Sequence, residues 1–231
     1  QLLPAVPIVV SRDRVAAARL AQDRFGCEAI LLDDGFQHRR LFRDLDLLLM
    51  DAGAGFGNGR MLPCGPLREP VSAAARCDGL VVTGAAQDLG RGATLAREGL
   101  ARAGVSKPVF GCERRCAGFF PIDTEDSAVP ASLQGMKAVA FCAIARPASF
   151  EADLRALGVN VVESVRFRDH QRLGRIELSR IAQAVGRRRP DVLVTTEKDR
   201  VRLGRLRLPA PAYSLRIRMA PLEEEELMAL V

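Results

Sequence analysis

The sequence predicts an α/β fold, and three observations carry the prediction. Apolar runs of strand length, at residues 6–10, 29–32, 47–50, 79–83, 138–143, 159–165, 191–194 and 214–219, are separated by longer stretches, several with helical spacing of their apolar positions. The early runs are continuous instead of alternating, as expected of strands buried on both faces of a parallel sheet. Two of them end on acids: Ile30-Leu31-Leu32 stops at Asp33-Asp34, and 47–50 stops at Asp51. Open α/β sheets place their ligands at the carboxyl ends of strands, so these acids mark a candidate site.

Taken in order, the run at 6–10 is followed by Ser11, a fair N-cap, with Asp13 in the first turn of a helix whose apolar face is Val15, Leu20 and Phe25. Gly26 stands where a glycine ends helices, and the strand at 29–32 completes a βαβ unit with a right-handed crossover. Asp33 and Asp34 then have two readings: metal ligands, or caps of the turn at Gly35. His38, Arg39 and Arg40 form a positive cluster suited to phosphate oxygens, while Arg43 and Asp44 are expected to pair on the surface. Gly53, Gly55, Gly57 and Gly59 do not fit GxGxxG, and no GxxxxGK[ST] occurs, the lysines being Lys107, Lys137 and Lys198. Gly57-Asn58-Gly59 reads as a tight turn, and Pro63, Gly65 and Pro66 stiffen a loop that holds Arg60, Arg68 and Glu69. Arg68 and Glu69 read on their own as a local salt bridge.

A short helix at 73–76, the strand at 79–83 and a helix at 93–103 complete a first region, 1–107. From 108 to 133 the pattern breaks, which reads as an irregular linker or a short two-stranded ribbon. The second region, 134–231, repeats the α/β grammar with helices at 148–157, 176–185 and 222–231, the last with four glutamates at its start. Asp169-His170 follows a strand; on its own such a histidine reads as a structural residue before a functional one. Thr196 and Asp199 in Thr195-Thr196-Glu197-Lys198-Asp199 form a pair like a capping box, which accounts for that motif without a ligand. The run Arg187-Arg188-Arg189 reads as a solvated face that also suits anionic headgroups.

Composition narrows the partners. The chain has 231 residues, enough for one large domain or two small ones, and 48% hydrophobic residues to fill its cores. A net charge of +6 favours an acidic partner: a nucleotide, a nucleic acid or an anionic membrane surface. Single-stranded nucleic acid is disfavoured, because stacking platforms are scarce: no Trp and one Tyr, Tyr213. Cysteines at 27, 64, 77, 112, 116 and 142 form no CxxC pair and only two histidines are present, which argues against zinc and disulfides and for a reducing compartment. No stretch approaches the ~18 apolar residues that span a bilayer.

The blocks DDGFQHRRL, RDLD, FGNGRMLPCGPLREP, RFRDH and TTEKD occur together and in this order, and in them the chain resembles the tetraacyldisaccharide 4′-kinase (lipid A 4′-kinase) family. The resemblance implies a P-loop-kinase-like parallel core, incomplete at its amino end because the nucleotide P-loop is missing, and a smaller α/β/α carboxy-terminal domain. It implies transfer of the ATP γ-phosphate, with Mg²⁺, to the 4′-hydroxyl of a tetraacylated glucosamine disaccharide 1-phosphate, at the cytoplasmic face of the bacterial inner membrane with peripheral contact and no nucleic acid. On residues, it implies Asp33, Asp34, Gln37 and Glu69 at the metal, His38, Arg40, Asn58, Arg60 and Arg68 at substrate or phosphate, and Asp169 and His170 in catalysis. Gln171 departs from the pattern where a second histidine is frequent, and Ala143 lies where a glycine is usual. The missing P-loop implies that this chain alone is inactive. The alternatives are a noncatalytic fragment or degenerate relative that binds a nucleotide or an acidic lipid, and a sugar-nucleotide glycosyltransferase, which leaves the acid pair unexplained.

Overall fold

The computed structural model describes residues 6–122, 131–204 and 206–230. The chain forms two compact units, one of Gln1–Arg114 with Met219–Val231 and one of Arg115–Arg218.

In the first unit, helix α1 (Arg14–Phe25) precedes strands β1 (Leu47–Asp51) and β2 (Gly79–Gly84), the 3-10 helix Val71–Arg76 between them, and helix α2 (Ala86–Arg102). Strand β3 (Val109–Pro121) follows, its residues up to Arg114 in this unit, and β1, β2 and this first part of β3 pair in parallel, with Leu48 opposite Leu80 and Leu80 opposite Val109. Leu89, Ala96 and Leu100 of α2 pack with Met50, Ala52, Leu80 and Val82 on one face. Gly92 sits at the closest approach, where an added Cβ would lie 2.7 Å from the Ala52 Cβ and 2.8 Å from Val82. The other face, with Val81, Phe110 and Cys112, is covered by Leu227 and Leu230 at and just beyond helix α6 (Glu224–Met228).

Two expected strands do not form. Residues 6–10 and 29–32 have no ladder partner among the described residues, and most of their apolar side chains are open to solvent: Ile8 is 77%, Val10 89% and Leu31 98% exposed. Apolar sequence makes a strand only where a neighbour takes its backbone hydrogen bonds and a face is buried, so the expected βαβ unit is a lone helix. That helix starts two residues later than expected. Asp13, not Ser11, is the N-cap, its carboxylate accepting from the Val15 and Ala16 amides, which holds it below the usual carboxylate range. Gly26 ends the helix in the left-handed conformation, as its position suggested.

The second unit contains strands β4 (Lys137–Cys142), β5 (Asn160–Arg166) and β6 (Val192–Thr196), helices α3 (Pro147–Ala156), α4 (Arg175–Arg188) and α5 (Glu197–Leu203), and most of strand β7 (Ala212–Pro221). Its strand order is β7-β6-β4-β5, all pairs parallel. Phe150 and Leu154 of α3 pack on one face with Ala138, Ala140 and Val194; Ile181 and Ala184 of α4 and Leu203 of α5 pack on the other with Val139, Phe141 and Leu193. This is an α/β/α sandwich, and the consecutive strand residues divide between the two cores, which is why β4 reads as a continuous apolar run.

Residues 109–121, read as an irregular linker or ribbon, form the single strand β3; residues 123–130 of that stretch lie outside the described residues. The Leu222 amide, just past β7, donates to the Gly111 carbonyl of β3, and the Ile122 amide, just past β3, donates to the Ala212 carbonyl at the start of β7. Phe110, Cys112, Phe119 and Phe120 are buried while Arg115 is exposed, so no single period runs through the strand.

Candidate functional site

In the first unit the segment 33–41 is a series of turns. Asp34 takes φ 51°, a left-handed conformation that Asp tolerates better than most residues. Gly35 follows because an added Cβ would lie 2.8 Å from the Leu32 Cβ. The turns close through the His38 amide to Gly35 and the Leu41 amide to His38. Arg43 fastens them: it donates to the carbonyls of His38 (2.7 Å) and Leu41 (3.1 Å) and to Asp46 Oδ1 (2.7 Å). Its partner is therefore Asp46, three residues on, and not Asp44; the hydrogen bond to Asp46 raises the Arg43 guanidinium above its ordinary value.

The second loop is built from its own polar side chains. Asp51 accepts from the Gly53 and Ala54 amides at 2.8 and 3.1 Å, turning the chain out of β1. Asn58 accepts from the Arg60 amide and donates to the Cys64 carbonyl, within a turn in which Gly57 and Gly59 have positive φ. Gly65 packs so tightly under this staple that a Cβ would fall 2.2 Å from the Arg60 oxygen. Beside the loop lies a cavity of about 570 Å³, lined by residues 54–59, Val71 and Ser72 and by Leu95, Gly99 and Arg102 of α2.

The loop then brings its far end back to the acid block. Arg68 and Glu69 do not pair with each other. Arg68 reaches Asp34 Oδ2 at 3.1 Å; Glu69 accepts from Arg76 at 2.8 Å and lies 3.6 Å from Arg39. Arg76 in turn stacks over Phe36, its carbon 4.5 Å from the ring centre. DDGFQHRR and LREP thus interlock as alternating charges on an exposed surface, with Asp33, Gln37 and Arg40 exposed alongside and His38 half-buried. Among the described residues, no three His, Cys, Asp or Glu side chains gather as a metal cluster.

In the second unit, Asp169 and His170 follow β5. The backbone of His170 has φ 59°, and its amide donates to the carbonyl of Ala143 at the end of β4 (3.2 Å). Its ring is exposed, and its Nδ1 lies 3.0 Å from the guanidinium of Arg202; Asp169 is 3.7 Å from Nε2, beyond hydrogen-bonding distance. Arg202 also donates to the Ala143 carbonyl (2.8 Å) and to Asp199 (3.0 Å). Asp199, fully buried, accepts from the Ala143 amide (3.0 Å) and the Thr196 hydroxyl (2.8 Å), and Thr196 caps α5 as the sequence suggested. Sequence alone points to the cap and not to Arg202; the available signal is an arginine three residues after the capping-pair aspartate, one turn along the helix. Nearby Cys142 is inert, burial pushing its thiol up to about 11. All six cysteines are free thiols.

Residues 1–231 match the family model for Tetraacyldisaccharide-1-P 4′-kinase. The tetraacyldisaccharide 4′-kinase of Geobacter metallireducens is 42% identical over an alignment of 206 residues that covers 87% of this chain and 57% of the relative. That of Syntrophus aciditrophicus is 35% identical over 238 residues, 99% of this chain and 63% of the relative. The crystal structure of the "apo" form of LpxK from Aquifex aeolicus in complex with ATP matches with a TM-score of 0.67 at 28% identity, over 96% of this chain and 62% of that one. The chain spans about three fifths of the length of these relatives. Matched by the family model from end to end, it belongs to the tetraacyldisaccharide 4′-kinase family.

Proposed function

We propose that this chain carries acceptor-, phosphate- and metal-facing residues of an ATP-dependent kinase that phosphorylates the 4′-hydroxyl of a tetraacylated glucosamine disaccharide 1-phosphate, a step in lipid A synthesis. The observation that carries the reading is the interlocking of DDGFQHRR with LREP through Arg68–Asp34 and Glu69–Arg76. Phosphoryl transfer asks a protein mainly for positioning and charge neutralisation, and this surface holds both signs of charge side by side. In this reading Arg68, Arg60, Arg40, His38 and Asn58 serve substrate or phosphate oxygens. Asn58 does so through the loop it staples, because its amide group is occupied by Arg60 and Cys64.

The donor set fits Mg²⁺ on chemical grounds. Mg²⁺ takes hard oxygens and often only one or two carboxylates, keeping water and phosphate oxygens for its other positions. Asp33 and Asp34 are consecutive exposed carboxylates, and the Arg68–Asp34 pair, with both side chains mostly in water, exchanges at little cost. These two would hold the ion with Gln37 nearby in sequence, while Glu69, tied to Arg76, sits at the margin of the set. When bound, the ion supplies neutralisation of the charge on the transferring phosphoryl group. In the second unit, Asp169 and His170 act on the acceptor hydroxyl.

Among the described residues no helix is long and apolar enough to cross a membrane. Contact with the cytoplasmic surface of the inner membrane is part of the proposal, supported by the net charge of +6. Arg187 and Arg188 contribute weakly to it, since both are paired with Glu163. The test is label transfer from γ-labelled ATP to the acylated disaccharide phosphate by the enzyme containing this chain. Labelled lipid that depends on both Mg²⁺ and acceptor is expected; ATP hydrolysis without labelled lipid would overturn the reading.

A further inference from the structure

We propose that Arg202, anchored by the buried carboxylate of Asp199, is a positioning residue that fixes both the orientation and the tautomer of His170. The inference rests on the reading of His170 as a residue that acts on the acceptor hydroxyl, and it gives the TTEKD block a role beyond capping α5.

A guanidinium has only N–H donors and stays protonated in proteins, so the 3.0 Å contact between Arg202 and His170 Nδ1 requires a lone pair on Nδ1. A neutral ring with an unprotonated Nδ1 carries its proton on Nε2. His170 is therefore held as the Nε2–H tautomer, and Nε2 is the nitrogen turned to other partners. A ring protonated at both nitrogens would set N–H against N–H at this contact.

The guanidinium is itself fixed. Its NH1 group bridges the Ala143 carbonyl at 2.8 Å and Asp199 Oδ1 at 3.0 Å, and the other oxygen of Asp199 takes the Ala143 amide at 3.0 Å and the Thr196 hydroxyl at 2.8 Å. The His170 amide bonds the same Ala143 carbonyl. The backbone of His170 directly, and its ring through Arg202, are thus both referred to one residue, Ala143, just past β4, whose amide is held by a carboxylate with no exposure to water. An exposed side chain on a residue with positive φ gains from these ties an orientation that its own surroundings do not impose.

The experiment uses the enzyme containing this chain. The His170→Ala variant, whose spectrum lacks that ring, assigns the His170 resonances in long-range ¹H–¹⁵N spectra of the enzyme. Wild-type enzyme should show an unprotonated Nδ1 and a protonated Nε2. Arg202→Met, which removes the donor but keeps the stem, should yield a mixture of tautomers and lower kcat by about 10- to 100-fold with KM little changed, consistent with the loss of orientation at a general acid–base group. Arg202→Lys should recover part of both. In a His170→Ala background, Arg202→Met should cost nothing more, because both act through one ring. An unchanged tautomer in Arg202→Met, or an equal loss of rate with and without His170, overturns the positioning role. A wild-type rate for His170→Ala instead overturns the reading of His170 itself, whatever the spectra show. Asp199→Asn checks the anchor, and it should move the tautomer in the same direction as Arg202→Met.

Discussion

Asp34→Asn separates function from structure at the acid block. The residue has φ 51°, where Asn is tolerated as readily as Asp, so the backbone is unstrained by the change, whereas Ala there would add about 1 kcal/mol of strain. The side chains of Asp34 and Arg68 are 71% and 63% exposed, so losing their 3.1 Å ion pair costs only ~0–1 kcal/mol. The expected change in unfolding free energy is therefore under about 1 kcal/mol. Turnover is a different matter. If Asp34 helps hold the Mg²⁺ that neutralises charge on the transferring phosphoryl group, removing its carboxylate charge should lower kcat by ~10²-fold or more, as removal of one electrostatic stabiliser does elsewhere. The assay pairs label transfer at saturating Mg²⁺ with a urea midpoint on the same sample. Turnover within about twofold of wild type would refute the assignment, since a loss of that size is below what one electrostatic stabiliser contributes. A large fall in the midpoint would refute the claim that the pair is structurally weak.

Three further predictions concern the fold and the second unit. Gly92→Ala should destabilise by about 1–3 kcal/mol, because the new Cβ meets Ala52 backbone and side chain and Val82 at 2.7–2.8 Å, whereas Gly90→Ala on the same helix meets nothing within 4 Å and should gain ~0.5–1 kcal/mol. Denaturation midpoints of the two variants moving in the same direction would contradict the packing described for α2. Glu151 is held below its ordinary value of 4.5, first by its hydrogen bond to Arg166 and also by Ser164 and Arg155, so its stabilisation is present above that value and is lost as pH falls below it. Glu151→Gln should therefore cost about 1–3 kcal/mol near neutral pH and progressively less under acid conditions; a pH-independent difference from wild type would refute the linkage. Thr196→Ala should destabilise by ~1 kcal/mol through loss of the α5 cap, measurable as a shift in thermal midpoint, and an unchanged midpoint would show that Asp199 alone holds that turn.

The parts of the fold legible in the sequence were those set by local chemistry. Gly26 ending α1, the turn at Gly57-Asn58-Gly59 and the Thr196–Asp199 cap all depend on residues within a few positions of one another. The buried strands of both units were legible because their two-sided burial writes an uninterrupted apolar run. The same signal misled at 6–10 and 29–32, where apolar residues are present but no described strand pairs with them. A one-dimensional pattern records what a segment would bury, not whether a partner is there. Arg43 pairing with Asp46 in place of Asp44 is a smaller case: the turns at 38–41 aim the side chain inward, and only their geometry tells which acid it meets.

The candidate site divides in the same way. Asp33, Asp34, Arg68 and Glu69 could be named from their motifs, but the exchange of partners by which Arg68 takes Asp34 and Glu69 takes Arg76 joins residues 34 positions apart in the first case. The network around His170 was invisible because Arg202 reaches back 59 residues to Ala143 and 32 to His170. Asp199, fully explained by a local cap when read as sequence, turns out to hold the Ala143 peptide as well.

The central claim is the position of the phosphate on the product, and ¹H–³¹P correlation spectroscopy of the lipid made by the enzyme containing this chain tests it most directly. One new phosphorus resonance coupled to the proton on the 4′ carbon is the expected result. A new phosphate on any other hydroxyl, or on the existing 1-phosphate, would contradict the account.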